Sequence, residues 1–337
     1  MKKVINDPSN VVEETIEGFL VANKEYEKVE GVTGIVRKEL KDKVAVLVGG
    51  GSGHEPLFFN LIGSGLADGL ALGNVFAAPT PNTIVEVAKK IDSGKGVIFV
   101  YGNYAGDILN FDMAAELLEM EGIETRTVRV SDDVASAPAD RKDDRRGIAG
   151  DIFIMKTAGA ASEKGLSLDE VTRITQKAND YTTSMGVALA PGTIPGATEL
   201  PFVIADDEIE IGLGVHGEPG IETRKMMPAD KMVDLLMDKL LSESNLENDK
   251  NVAVLVNGLG STTLMELLIV NRRVAQILDE NGIKIHDMEV GSFITTQEMA
   301  GFSITLLELD KELQELYDAP AVSPYYVKLP NKETVKY

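Results

Sequence analysis

Residues 43–51 read KVAVLVGGG. A run of β-branched and other apolar side chains that ends in consecutive glycines has the form of a buried strand entering a loop. The pattern recurs. GVIFVY (96–101) runs into a glycine-containing loop at 102–107, and residues 108–120 then read as a helix that ends near Gly122. TIVEVAKKI (83–91) has helical spacing behind Pro79 and Pro81, and TRTVRV (125–130) alternates as a strand. Between Pro56 and Leu72 the chain is apolar and glycine-broken, which suits a short helix. Residues 152–156 fit a fourth strand, although the run GDIFIMKTAGAASEKG around them fits a helix equally well. Residues 168–185 read as one helix with Leu168, Val171, Ile174 and Ala178 on a single stripe, and 186–190 as a further strand. This alternation of strand, glycine loop and helix is the α/β pattern.

A second unit begins near Pro191. EIEIG (208–212) alternates and precedes the loop 214–220, and 228–241 is helical with Met232, Leu235, Leu236 and Leu240 apolar. After a polar linker (242–250), residues 251–256 form a strand followed by NGLGSTT, and 264–281 a long helix. Residues 284–289 and 302–307 complete the alternation, and the tail from Pro320 is extended. The expected architecture is two α/β domains, residues 1–190 and 191–337. The polar insert DDVASAPADRKDDRR (132–146) reads as a solvated surface loop, with a subunit contact or a lid as the sharper alternative.

The 337 residues suit two domains at about 150 residues each. Asp and Glu total 54 against 33 Lys and Arg, a net charge of −21, which opposes binding to nucleic acid through phosphate contacts and docking on anionic lipid. Cysteine is absent, so there is no disulfide framework, thiol nucleophile or thiolate metal site. The start MKKVINDPSN lacks the apolar core of a secretory signal, and no apolar run approaches the roughly 20 residues of a membrane helix. The expectation is a soluble cytoplasmic protein with no nucleic-acid or membrane partner.

Chemistry concentrates in the loops behind strands, where ligand sites of open α/β sheets lie. Two of the three histidines, His54 and His216, stand in such loops. His286 alternates inside a strand and reads as structural. GGGSGHEP (49–56) has no lysine after Gly53, so it is not a Walker A loop, and it is a poor dinucleotide fingerprint. Its glycines still free backbone N–H groups to cradle an anion or a hydroxyl. Asp107 follows Gly106 at the opening of a helix, either as an N-cap or as a general base beside His54. His216, between Gly214 and Gly217, could serve as base, metal ligand or nucleophile toward a carbonyl; spacing gives a histidine-bound metal no support. NGLGSTT (257–263) either closes a crevice or caps the helix at Leu264.

GGGSGHEP at 49–56, APTP at 78–81, NYAGDILNF at 103–111, GVHGEPG at 214–220 and NGLGSTT at 257–263 occur in the order in which the dihydroxyacetone kinase K-subunit family carries them. The chain resembles that family over nearly its whole length. The resemblance implies two α/β domains, a homodimer, and a catalytic set of His216, His54 and Asp107. By it, the ring nitrogen of His216 adds to the substrate ketone to give a covalent hemiaminal, which selects against glycerol because glycerol has no carbonyl. His54 supports hemiaminal formation and phosphoryl transfer, Asp107 takes the proton of the attacking terminal hydroxyl, and the backbone of Gly51, Ser52 and Gly53 holds the substrate. No cofactor is expected on this chain. The resemblance places ATP, or ADP recharged by a phosphotransferase-system donor, with Mg²⁺ on a separate L-type subunit. Two substrate-pocket positions depart from the family pattern: Gly102 replaces a lysine and Ala78 a serine. The donors lost leave room for a larger ketose or aldose, such as a four-carbon sugar. The alternative reading is a non-catalytic coactivator or sensor.

Overall fold

The computed structural model describes residues 2–244 and 246–329. After helix α1 (Val11–Ala22), a first six-stranded sheet forms from β1 (Tyr26–Val29), β2 (Gly34–Arg37), β3 (Ala45–Ser52), β4 (Gly69–Val75), β5 (Val97–Gly102) and β6 (Thr125–Val130), ordered β1-β2-β4-β3-β5-β6. Strands β4, β3, β5 and β6 are mutually parallel, and β1 and β2 join antiparallel at one edge. Their crossovers include α2 (Pro81–Ile91) and α3 (Ala105–Met120); α4 (Asp151–Glu163) and α5 (Leu168–Asp180) follow. The second six-stranded sheet holds β7 (Thr182–Ala190), β8 (Glu208–Ile211), β9 (Glu222–Lys225), β10 (Asn251–Gly258), β11 (Lys284–Gly291) and β12 (Ala300–Leu309), ordered β11-β10-β12-β7-β8-β9. Only β10 and β11 pair in parallel there. Helices α6 (Ala229–Glu243), α7 (Leu264–Glu280) and α8 (Lys311–Tyr317) and a hairpin of β13 (Ala321–Val322) and β14 (Val327–Lys328) complete the fold.

The period-2 alternation of strand side chains sorts them into layers. On β3, Ala45 and Leu47 meet α2 and α3, while Val46 and Val48 face the opposite way, into a core with α4 and α5. On β10, Ala253 and Leu255 enter that same core, and Val252, Val254 and Val256 face α6 and α7. Helices α4 and α5 therefore lie between the two sheets. This explains why 152–156 was ambiguous in the sequence. Residues 151–162 are buried throughout, so α4 has no polar face and carries no 3.6-residue signature.

Four sequence expectations change. The strand at 186–190 belongs to β7, which starts at Thr182 and lies in the second sheet between β12 and β8; the sheets thus divide the chain between β6 and β7, ahead of residue 190. The helix expected over 168–185 stops at Asp180, because Thr182 and Thr183 are β-branched and enter the strand. The helix expected between Pro56 and Leu72 is a single 3₁₀ turn at Phe59–Leu61 followed by β4. Gly69 interrupts the apolar pattern there because a Cβ would stand 2.7 Å from the Val87 side chain of α2. The 132–146 insert is solvated only in part: 138–144 is exposed, whereas Asp132, Asp133 and Arg145 are buried, and Arg145 pairs with Glu243 at 2.9 Å.

The segment after β11 joins the two sheets. Asn257, at the end of β10 and fully buried, donates to the Ile294 carbonyl at 2.8 Å and accepts from the N–H groups of Phe293 and Ile294 at 2.9 and 3.0 Å. Thr295 then reaches the first unit: its N–H donates to the His54 carbonyl at 3.2 Å and its hydroxyl to the Glu55 carbonyl at 2.7 Å. Replacing Asn257 by alanine strands these buried partners, so Asn257→Ala is expected to cost about 1–3 kcal/mol in urea unfolding; a variant as stable as the parent would contradict this role.

Candidate active site

The glycine end of β3 and the turn after it set His54. Ser52 turns its hydroxyl to the Gly73 carbonyl at 2.9 Å. Gly53 has φ of +98°, and its N–H is held by the Glu55 carboxylate at 3.0 Å. His54 is thereby pressed inward and is 4% exposed. Its Nδ1 lies 2.7 Å from the Thr295 carbonyl oxygen. A carbonyl only accepts, so the partner assigns a proton to Nδ1. Burial and the charge of the neighbouring His216 push the His54 pKa down to about 3, which keeps the ring neutral and leaves Nε2 with a lone pair.

His216 comes from the loop behind β8. Gly217, with φ of +89°, turns the chain so that Glu218 folds back on it: the Glu218 carboxylate accepts the His216 backbone N–H and Nδ1–H, each at 3.0 Å. Burial alone would raise the Glu218 pKa, but the His216 hydrogen bond and charge outweigh it and hold the carboxyl near 2. His216 Nε2 then points at His54 Nε2, 3.0 Å away. One proton between the nitrogens makes that contact favourable, since two lone pairs would repel. The edge of Tyr104 packs against the His216 ring with centroids 4.8 Å apart, and Phe76 lies 4.9 Å from His54.

Asp107 is the third residue of α3, whose N-cap is Tyr104, so it does not cap the helix. Its Oδ1 is enclosed and has no hydrogen-bond partner. Burial, opposed by the His216 charge, raises its pKa to about 7. His54, His216, Asp107, Gly51 and Gly102 line one cleft with Gly49, Gly50, Tyr104 and Asp151, enclosing about 390 Å³ of free space out to its mouth. The other expected substrate contacts stand beside this cleft. The Ser52 hydroxyl is spent on the Gly73 carbonyl and the Ser52 and Gly53 carbonyls accept the N–H groups of Phe76 and Gln297, and Ala78 packs near Gly106, 3.4 Å from where a Cβ there would lie.

Outside the cleft, His286 on β11 pairs with Asp318 at 2.7 Å, and Thr263 of NGLGSTT caps α7 in a capping box with Glu266. Among the described residues no group of three or more metal-ligating side chains occurs, and no helix is long and apolar enough to cross a membrane. Sequence reasoning missed Glu218, Thr295 and Asp151. Glu218 carried a signal, a carboxylate two residues beyond the histidine in the same glycine loop. Thr295 carried none.

A carboxyl whose pKa rises from its ordinary 3.8 to about 7 on folding binds more proton in the folded state between those values. Its burial therefore weakens the fold as pH climbs through that window. Asp107→Asn is expected to melt above the parent at pH 8 and to match it near pH 4 in thermal unfolding; a difference independent of pH would refute the buried, unpartnered carboxyl.

A Dak1 domain matches residues 17–325. The chain is 44% identical over 332 residues to the dihydroxyacetone-binding subunit of a PTS-dependent dihydroxyacetone kinase of Listeria innocua, covering 97% of this chain and 99% of that one. It is 43% identical over 331 residues to a D-erythrulose kinase of Mycolicibacterium smegmatis, covering 97% of this chain and 57% of that longer relative. Among solved structures, a dihydroxyacetone kinase operon co-activator superposes with a TM-score of 0.87 at 31% identity, over 92% of this chain and 96% of that one. The dihydroxyacetone kinase of C. freundii with AMP-PNP and Mg²⁺ superposes with a TM-score of 0.90 at 30% identity, over all of this chain and 63% of that one. With the domain match running through both sheets, the chain belongs to the Dak1 family.

Proposed function

We propose that this chain is the substrate-binding subunit of a dihydroxyacetone-kinase-type phosphotransferase, holding a short-chain ketose or aldose as a hemiaminal on His216. The observation that carries this reading is the His216 ring itself, fixed at Nδ1 by Glu218 and facing the neutral His54 at Nε2. The proton between the two Nε2 atoms passes to His54 and on to the carbonyl oxygen as His216 Nε2 adds to the carbonyl carbon. The C–N bond forms, the C=O π pair becomes the O–H bond, and the ring keeps one positive charge opposite the Glu218 carboxylate. Atoms and charge balance without a further reactant. A polyol without a carbonyl cannot make this bond.

Asp107 then serves as base for the terminal hydroxyl. Its carboxyl has an unpartnered oxygen on the same cleft, and a pKa near 7 suits proton transfer near neutrality. The phosphoryl donor is carried elsewhere. Phosphoryl transfer calls for a nucleotide or its equivalent with Mg²⁺, and the glycine loop of this chain lacks the lysine of a nucleotide loop. An L-type partner bearing ATP, or ADP recharged by a phosphotransferase-system protein, fills that role beside a homodimer of this chain in the cytoplasm. The erythrulose kinase and the AMP-PNP-bound kinase both extend well beyond the part this chain matches, which supports a second, nucleotide-bearing component. The co-activator likeness favours a second reading, a sensor that binds the same ligand without turnover.

Intact mass under gentle ionisation, with dihydroxyacetone or erythrulose, is expected to reveal an adduct in the parent protein and none in His216→Ala. With a purified L-type partner and ATP or a phosphotransferase-system donor, sugar phosphate is expected. An adduct without phosphate from any donor would establish the sensor reading instead. Ligand-soaked crystals lacking continuous density from the His216 ring would overturn covalent binding.

A further inference from the structure

The cleft contains a second buried acid that the mechanism above leaves unused. Asp151 is the first residue of α4 and 4% exposed, and it lines the cleft together with Gly102 and Asp107. Its Oδ1 is enclosed without a hydrogen-bond partner, and its side chain accepts none from the described residues. A buried carboxyl left unpaired is costly, and a hydroxyl brought into the cleft would supply the missing partner.

The surrounding loop is built to hold it there. Asp132 accepts the N–H groups of Ile148 and Gly150 at 2.8 and 2.7 Å, satisfying its own oxygens and fixing the turn from which Asp151 projects. The backbones of Gly147 and Gly102 press together so closely that a Cβ at Gly147 would lie 2.7 Å from the Gly102 Cα. Gly102 has no side chain to offer, which leaves Asp151 as a polar group of this wall with free capacity. Burial, with the charges of Asp132 and Asp107, raises the Asp151 pKa well above the ordinary carboxylate range. A neutral carboxylic acid both donates and accepts a hydrogen bond, as a sugar hydroxyl does.

We propose that Asp151 is a specificity-determining residue that receives the hydroxyls on the non-reacting arm of a ketose whose carbonyl lies at His216. This rests on the ketose-binding reading above. Two four-carbon probes separate the roles: erythrulose, and 1-hydroxy-2-butanone, which keeps the carbonyl and the reacting-arm hydroxyl but lacks the others.

Calorimetric titration of the full chain is expected to give a preference for erythrulose over 1-hydroxy-2-butanone of about tenfold or more, the worth of a buried hydroxyl contact. In Asp151→Leu that preference is expected to collapse to about threefold or less, chiefly through weaker erythrulose binding. Asp151→Asn, which can still donate and accept, is expected to retain most of it. An unchanged preference in Asp151→Leu would overturn the proposal. So would equal weakening of both ligands, or equal loss in the leucine and asparagine variants, because either marks a structural role. Failure of the parent protein to bind any ketose would instead strike the ketose-binding reading itself, and this inference with it.

Discussion

A contact between two imidazole nitrogens 3.0 Å apart ties the halves of this molecule together chemically. His54 arrives on the glycine end of β3 in the first sheet, and His216 on the loop behind β8 in the second. Each ring is fixed at its other nitrogen, His54 by the Thr295 carbonyl and His216 by the Glu218 carboxylate. The two anchors differ in kind. Burial and the charge of His216 keep His54 uncharged although the Thr295 carbonyl pulls the other way, while Glu218 stands as an anion against His216. The pair is therefore polarised before any ligand enters. That polarity requires the sheets to keep their relative position, which α4 and α5 between them and the 293–297 segment across them secure.

The same separation of environments divides the acids. Glu218 sits against a histidine and is held near 2, whereas Asp107 is enclosed without a partner and rises to about 7. Asp132, though fully buried, spends its oxygens on backbone N–H groups. Carboxyls within one cleft and its supporting loops thus stand as a fixed anion, a carboxyl that titrates near neutrality and a structural pin. Their surroundings assign these parts, and residue type alone would not.

What the sequence made legible follows from where period and burial agree. Strands β3, β5, β6, β10 and β12 and helices α2, α6 and α7 each have one distinct environment per face, or apolar runs bounded by glycine, and their patterns are readable. Helix α4 is buried on every side, so its period vanishes, and β4 hides behind glycines, of which Gly69 is demanded by packing against α2. The border of α5 and β7 blurred because the helical stripe runs straight into a strand. In the site, His54, Asp107 and His216 were visible as polar residues in glycine loops behind strands. Thr295 was invisible because its contact with His54 spans 241 positions and uses only its backbone N–H and carbonyl, which carry no side-chain signature.

Gly102 and Ala78, the departures from the family pattern, carry unequal weight in the folded protein. Ala78 stands off the cleft wall beside Gly106, so a hydroxyl there would add a donor near the start of α3 without narrowing the space around the histidines. Gly102 is different. A Cβ at that position would come within 3.1 Å of the Tyr104 ring, tighter than ordinary van der Waals contact, and the ring would have to yield. Tyr104 cannot yield alone: its hydroxyl is bonded to the Gly147 carbonyl at 2.9 Å and its edge rests on His216. A side chain at 102 would thus be transmitted to His216 on one side and to the loop carrying Asp151 on the other. Glycine here is part of the packing that places both.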